Sequence, residues 1–251
     1  MSPSDLHRPT PTVPPAIPPT LLLLPGMDGT GDLFAPLVAA LGEGVEIKIV
    51  RYPNDQAWGY AEHEAFARAA RPIDAPYFIL GESFSGPIAI ALAASNPGQV
   101  RGLILCATFA RNPRPMARLL SALLPLAPMR RISALALSAA LLGSFTTPTL
   151  RAALAEAQAN VATRTLRARL AAVVSVDVTL AYAALAVPVL YLRAAKDRLV
   201  PRAAGRLLAE LNPGTRIVTL DAPHAVLQVA ARAAAAEIKA FMASTSITEN
   251  A

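Results

Sequence analysis

One stretch constrains this chain most strongly: residues 77–87, which read Tyr-Phe-Ile-Leu-Gly-Glu-Ser-Phe-Ser-Gly-Pro. Its apolar start is typical of a buried strand, and the alanine-rich sequence that follows has the spacing of a helix. The small residues between the two predict a sharp turn that carries Ser83 at the start of the helix. A helix N-terminus and its free backbone N–H groups favour developing negative charge. Ser83 is therefore a candidate nucleophile.

The residues around Ser83 match the pattern Gly-x-Ser-x-Gly in part. Gly81 and Ser83 fit it, whereas Ser85 stands at the second glycine position and Gly86 follows one place later. Strand and helix approach closely at such a turn, so the neighbours of the nucleophile must be small, and serine meets that requirement. Two alternatives stay open here: an ordinary turn with a capping serine, and Ser85 as the nucleophile.

Length and composition predict one large α/β domain that carries an insertion. The chain has 251 residues, of which 54% are hydrophobic, so it can bury a sizeable core. Its one cysteine, Cys106, excludes an intramolecular disulfide and a cysteine-based metal cluster, and three histidines argue against a histidine-rich metal site. Cys106 ends an apolar run, which predicts a buried thiol.

Strands and helices alternate along the chain. Apolar runs predict strands at 21–24, 45–52, 77–80, 100–107, 187–192 and 216–220. Helical spacing predicts helices at 33–41, 60–71, 87–95, 203–211 and 226–242. This order indicates an α/β fold with a mostly parallel sheet covered by helices on both faces.

The same pattern divides the chain into segments. Residues 20–109 and 187–243 form the predicted core, and residues 110–186, which change to long alanine- and leucine-rich helical patterns, form a predicted inserted helical lid. Residues 1–19 are proline-rich and predict a disordered tail, and residues 244–251 predict a flexible C-terminus. We find neither a signal peptide nor a transmembrane segment and expect a cytoplasmic protein.

A glycine-rich loop, residues 25–31, follows the first predicted strand. It lacks the Gly-Lys-Ser/Thr of a P-loop and the Gly-x-Gly-x-x-Gly of a dinucleotide site, so we expect no nucleotide cofactor. Asp28 is interpreted as a turn residue, and Thr30 or Asp32 as a helix cap.

Two further chemical groups each follow a predicted strand: Asp197 after 187–192, and His224 after 216–220. The carboxyl ends of parallel strands share one edge of a sheet. A serine hydroxyl needs an imidazole to take its proton and a carboxylate to hold that imidazole in the useful tautomer. Ser83, Asp197 and His224 supply these three groups.

Other residues compete for the roles of acid and base. Asp177 and Asp221 are alternatives for the acid. For the base, His7 lies in the proline-rich tail, and His63, flanked by two glutamates on a predicted helix, is interpreted as a solvated or capping histidine.

From about Thr20 to Met242 the sequence resembles the α/β-hydrolase family. The matching segments are residues 81–86, the Asp-Arg-Leu-Val-Pro turn at 197–201, and Ala-Pro-His at 222–224. The glycine-rich loop departs from many members in having Pro-Gly at 25–26 where they have His-Gly.

This resemblance implies Ser83 as nucleophile, Asp197 as acid and His224 as base. It also implies an oxyanion hole formed by the backbone N–H groups of Met27 and Phe84. The expected activity is that of a serine hydrolase, which cleaves a carboxylic ester or thioester through an acyl-enzyme and needs no metal or organic cofactor. An acyltransferase or peptidase on the same triad, and a non-catalytic binding protein with the same fold, are alternatives.

The insertion resembles that of small carboxylesterases, including those that act on carrier-linked methyl esters. We therefore expect a small-molecule or acyl-carrier-linked ester as substrate. The positive charge of the chain, +6 overall, is concentrated in this insertion: residues 111–176 hold nine arginines and one acid, Glu156. Such a segment could present a cationic, partly apolar face to an anionic partner; a solvated lid is the simpler interpretation. The arginines are not interleaved with aromatic residues, so nucleic acid is not expected as a partner.

Overall fold

The computed structural model describes residues 18–116 and 134–247. Within these ranges, six strands pair in parallel to form one sheet in the order β2-β1-β3-β4-β5-β6. The strands are β1 (Thr20–Leu24), β2 (Glu46–Ile49), β3 (Tyr77–Glu82), β4 (Val100–Cys106), β5 (Val189–Ala194) and β6 (Arg216–Leu220).

Helices connect these strands. In the described part of the chain they are α1 (Ala35–Leu41), α2 (Tyr60–Ala70), α3 (Gly86–Ser95), α4 (Ala134–Leu141), α5 (Pro148–Ala159), α6 (Thr163–Ser175), α7 (Thr179–Ala183), α8 (Arg202–Leu211), α9 (Val226–Val229) and α10 (Ala231–Ile247).

The unbroken leucine run of β1 shows why the sheet is covered on both faces. Leu21 and Leu23 pack into the core on one face, and Leu22 and Leu24 into the core on the other, because successive side chains of a strand point to opposite sides. A strand buried on both faces is apolar throughout rather than alternating. Helices α1 and α10 cover the first face, and α2, α3, α7 and α8 cover the second. The expected parallel sheet with helices on both faces is confirmed.

The strand order reverses beside β1. Strand β2 lies on one side of β1 and β3 on the other, so the loops that leave the carboxyl ends of β1 and β3 diverge and leave a crevice between them. In open parallel sheets this is where ligands bind. The loops after β5 and β6 leave from the same edge.

Residues inserted between β4 and β5 include helices α4 to α7. The start of α5 shows how these helices are set locally: the Thr147 hydroxyl accepts the Leu150 N–H at 3.2 Å, and Pro148, which needs no N–H partner, occupies the first turn. Arg130 and Arg131, which contribute to the predicted cationic face, lie outside the described residues, so an anionic partner stays a prediction. Residues 1–17 of the predicted tail also lie outside them.

One expectation about the C-terminal part is wrong in detail. The single helix predicted at 226–242 is two helices, because the backbone leaves the helical conformation at Ala230 (φ −110°, ψ 34°). Alanine has a high helix propensity, so the sequence does not mark this break. Helix α10 continues to Ile247, and the flexibility expected at residues 244–251 stays a prediction. No helix in the described ranges combines the length and the hydropathy that crossing a membrane requires.

Candidate active site

Ser83 occupies a strained turn between β3 and α3. Its φ is +48°, a left-handed conformation that residues other than glycine rarely adopt. The Thr108 hydroxyl, in the loop after the neighbouring strand β4, donates a hydrogen bond to the Ser83 carbonyl and fixes the turn. Gly86 allows this approach, since a Cβ there would lie 2.0 Å from the Thr108 hydroxyl oxygen. The requirement for glycine thus falls on position 86, one place after the pattern that the sequence only partly matches.

Ser85, the alternative nucleophile, is turned away from His224. Its side chain is fully buried, and its hydroxyl donates to the carbonyl of Pro25 and lies 3.0 Å from the Tyr52 hydroxyl. Ser85 therefore ties α3 to the loop after β1.

Ser83, His224 and Asp197 lie in a hydrogen-bonded row. The Ser83 hydroxyl oxygen is 2.8 Å from Nε2 of His224, and Nδ1 of the same ring is 2.9 Å from the nearer Asp197 oxygen. A carboxylate beside Nδ1 accepts a hydrogen bond from Nδ1–H, and this tautomer leaves Nε2 free to accept the serine proton. The side chains of His224 and Asp197 are each 7% exposed, so little water competes for these bonds.

The loop after β5 holds the Asp197 carboxylate in place. Oxygen Oδ1 accepts the backbone N–H groups of Leu199 at 2.8 Å and Val200 at 2.9 Å. These bonds hold the carboxylate with both oxygens near Nδ1 of His224, Oδ2 at 2.9 Å and Oδ1 at 3.1 Å.

The competing acids and bases lie elsewhere. Asp177 accepts hydrogen bonds from the N–H and hydroxyl groups of Thr179, and Asp221 forms a solvent-exposed ion pair with Lys196 at 2.8 Å. His7 lies outside the described residues.

Met27 and Phe84, the expected oxyanion donors, flank Ser83. Met27 lies in the loop after β1 and lines the same cavity as Ser83, and Phe84 is the next residue along the turn. The Phe84 ring stacks on that of Tyr60 at 4.8 Å between centroids, and the Tyr60 hydroxyl donates to the Phe84 carbonyl at 3.0 Å.

A cavity of about 240 Å³ opens beside Ser83 and His224. Apolar side chains form much of its wall, and five of them belong to the segment inserted between β4 and β5. The apolar lining residues are Leu33, Leu137, Leu141, Leu154, Ala157, Leu166, Leu199 and Ala225.

Glu82, next to the nucleophile, is a buried carboxyl group that the sequence did not single out. It is 8% exposed and lines the cavity, and one of its oxygens accepts the Gln228 amide N–H at 3.1 Å. Burial raises the pKa of Glu82 to about 7, so this group titrates near neutral pH.

His63 is fully buried, so the interpretation as a solvated histidine is wrong. Its ring packs edge-on against Tyr52, Trp58 and Phe84, and its Nδ1 lies 2.6 Å from the Gly59 carbonyl. The flanking glutamates suggested an exposed position, but successive residues of a helix point in different directions, so the neighbours of His63 on α2 do not report its burial. Among the described residues, no cluster of three or more His, Cys, Asp or Glu side chains could hold a metal ion.

Comparison with known proteins gives the family of the chain. Residues 60–226, about two thirds of the chain, match the family described as serine aminopeptidase, S33. The chain belongs to this family of α/β-hydrolases. A second match, at 34% identity over 121 residues, is to phytyl ester synthase 1, chloroplastic, of Arabidopsis thaliana; it covers 45% of this chain and 16% of that protein.

Solved structures share the fold of this S33-family hydrolase. An enol-lactonase from Burkholderia xenovorans LB400 superposes with a TM-score of 0.77 at 20% identity, over 90% of this chain and 91% of that one. The esterase EaEST from Exiguobacterium antarcticum gives a TM-score of 0.77 at 15% identity, over 89% and 91%. At such identities the likeness concerns the fold alone.

Proposed function

We propose that this protein is a serine esterase that hydrolyses carboxylic esters or thioesters through an acyl-enzyme on Ser83. The observation that carries the proposal is the row of Ser83, His224 and Asp197, with 2.8 Å from the serine oxygen to Nε2 and 2.9 Å from Nδ1 to the carboxylate. These distances allow proton transfer without rearrangement. A protein that had kept only the fold for binding would have no need of this arrangement or of the strained conformation at Ser83.

In the proposed mechanism, His224 takes the proton of Ser83 as its oxygen attacks the ester carbonyl. Asp197 stabilises the resulting imidazolium through Nδ1–H, and the backbone N–H groups of Met27 and Phe84 bind the oxyanion. His224 then gives its proton to the leaving alcohol, or to the thiol of a thioester. Water enters, loses a proton to His224 and attacks the acyl-enzyme, and the proton returns to Ser83 as the carboxylic acid departs.

The cavity supports an apolar acyl group as the part of the substrate held beside Ser83. Six of its lining side chains are leucines, so an aliphatic chain that enters exchanges contact with water for contact with apolar side chains. A charged or peptide-like acyl group would lose hydrogen bonds to water there.

Acyl transfer to an alcohol is the second candidate. It uses the same acyl-enzyme and differs only in the acceptor, an alcohol in place of water. It is favoured by the match to a protein named as an ester synthase. The family is described as serine aminopeptidase, so peptide hydrolysis is also tested below.

A substrate panel separates these activities. We expect turnover of p-nitrophenyl esters with aliphatic acyl chains, and little turnover of aminoacyl p-nitroanilides. A long-chain alcohol added at increasing concentration distinguishes the two ester activities: formation of a new ester at the expense of free acid indicates transfer, and an unchanged acid yield indicates hydrolysis. Preference for the anilides, or no turnover of any ester, would contradict the proposal.

A further inference from the structure

A buried arginine of the inserted segment, Arg169 on α6, contacts the loop that supplies one proposed oxyanion donor. Its side chain is fully buried. Its NH1 group donates to the carbonyls of Met27 and Asp28, each at 2.8 Å, and its NH2 group donates to the carbonyl of Pro53 at 3.0 Å. Three backbone carbonyls from two loops therefore converge on one guanidinium.

Burying a positive charge is costly unless acceptors surround it. Carbonyl dipoles supply most of that compensation here, and the Tyr52 ring lies 5.8 Å from the guanidinium carbon. Burial lowers the pKa of Arg169, whereas the nearby Asp28 carboxylate opposes that effect. The same hydrogen bonds hold the two loops against the guanidinium.

Gly29 makes the contact sterically possible. A Cβ at this position would lie 2.5 Å from NH1 of Arg169, and the φ of +72° is one that glycine adopts readily. The loop thus has no side chain at the point where the guanidinium packs against it.

His63 completes the support from the other side. Because the Gly59 carbonyl can only accept, Nδ1 of His63 carries the proton, and Nε2 accepts from Nε of Arg169 at 3.3 Å. Burial lowers the pKa of His63 and outweighs the hydrogen bond to Gly59, which raises it; the net shift is downward, and the guanidinium contributes to it, so the neutral ring that can accept is favoured.

The peptide geometry connects these contacts to the oxyanion hole. The Gly26 carbonyl and the Met27 N–H belong to the same planar trans peptide and point in opposite directions. The Gly29 N–H donates to that carbonyl at 3.1 Å, and Arg169 holds the next two carbonyls of the same turn. Fixing these groups fixes the direction of the Met27 N–H.

We propose that Arg169 is a positioning residue that holds the Met27 N–H in the oxyanion hole, so that the inserted segment helps to form the site chemically as well as lining its cavity. This inference rests on the proposed function. Arg169 does not contact the reacting atoms; it acts through the loop.

The test compares Arg169→Met with Arg164→Met, a matched control. Arg164 lies on the same helix but is exposed, and its guanidinium donates to the carbonyl of Asp55 at 2.9 Å. For Arg169→Met we expect kcat on the preferred ester to fall about 10- to 100-fold, while KM changes less than about threefold, because a misdirected oxyanion donor weakens transition-state binding alone. Arg164→Met should stay within about twofold of wild type.

A pair of inhibitors distinguishes positioning from general structural damage. The Ser83 oxygen adds to the carbonyl carbon of a trifluoromethyl ketone, and the resulting oxyanion lies in the oxyanion hole. The matching methyl ketone binds without forming this adduct. For Arg169→Met the Ki of the trifluoromethyl ketone should rise by the same factor as kcat/KM falls, and the Ki of the methyl ketone should change little.

A second variant covers the case in which Arg169→Met does not fold. Gly29→Ala pushes the guanidinium away from the loop, and Gly42→Ala is its control, since Gly42 also has a positive φ, +63°, but has nothing within 4 Å of an added Cβ. Gly29→Ala should raise the trifluoromethyl ketone Ki selectively, and Gly42→Ala should not. Equal effects of each variant and its control, or a loss of kcat with unchanged trifluoromethyl ketone affinity, would overturn the proposal for Arg169. An inactive wild-type enzyme that no serine-directed phosphonate labels would instead overturn the proposed function.

Discussion

The hydroxyl oxygen of Ser83 lies 2.8 Å from Nε2 of His224, although 141 residues separate the two in sequence. Ser83 follows β3 and His224 follows β6, the strand at one edge of the sheet. The parallel arrangement places the loops after these strands on the same edge, and the loop between β6 and α9 reaches back across it. The sheet topology thus brings Ser83 and His224 together. The variants below test the roles of the residues around them.

Asp197→Asn should lower kcat by about 10⁴ while the protein stays folded. The asparagine oxygen can still accept the N–H groups of Leu199 and Val200, but its amide would present a donor to Nδ1 of His224 and favour the wrong tautomer. Steady-state kinetics on the preferred ester measure the loss. Asp221→Asn, on the exposed ion pair with Lys196, is the control and should keep wild-type activity. A small effect at Asp197 would rule it out as the acid.

Glu82 should make the stability of the protein depend on pH. Its pKa rises from 4.5 to about 7 on folding, so between these values the folded state holds a proton that the unfolded state has lost. The free energy of unfolding is therefore highest below pH 4.5, as far as Glu82 is concerned. It falls as pH rises towards 7, by up to about 3 kcal/mol. We expect urea unfolding to show that the free energy of unfolding of Glu82→Gln, relative to that of wild type, increases as pH rises across this range. Glu156 is exposed, so the free energy of unfolding of Glu156→Gln should depend on pH as that of wild type does. The same pH dependence in Glu82→Gln and wild type would contradict the raised pKa of Glu82.

Ala157→Leu should shift the preference of the enzyme towards shorter acyl chains. Ala157 lies on α5 and lines the cavity, so a larger side chain there removes space for the substrate. We expect the ratio of kcat/KM for a long ester over a short one to fall about tenfold, on the scale of a methylene or two lost from a hydrophobic pocket. Ala152→Leu places the same side chain on the exposed face of α5 and should leave the ratio unchanged. An unchanged ratio for Ala157→Leu would mean that the acyl chain lies elsewhere.

The parts of the fold and site that could be predicted from sequence share a local cause. Apolar runs mark the strands, and Ser83, Asp197 and His224 each follow one of them, so the rule that parallel strands share an edge was enough to group them. Arg169 and His63 could not be found in this way. The partners of Arg169 are chiefly backbone carbonyls, which every residue carries, and its burial depends on how α6 packs against loops more than 100 residues away in sequence. The break at Ala230 likewise leaves no trace in an alanine-rich sequence.

The most direct test of the central claim is to trap the acyl-enzyme and locate it. Wild-type protein, Ser83→Ala and Ser85→Ala are each treated with a fluorophosphonate and with a slowly deacylating ester, and the modified peptide is identified by mass spectrometry. We predict one adduct, on Ser83, in wild type and in Ser85→Ala, and none in Ser83→Ala, whose ester turnover should fall by about 10⁴ or more while its thermal unfolding stays cooperative. An adduct on Ser85, or turnover that survives in Ser83→Ala, would contradict the account.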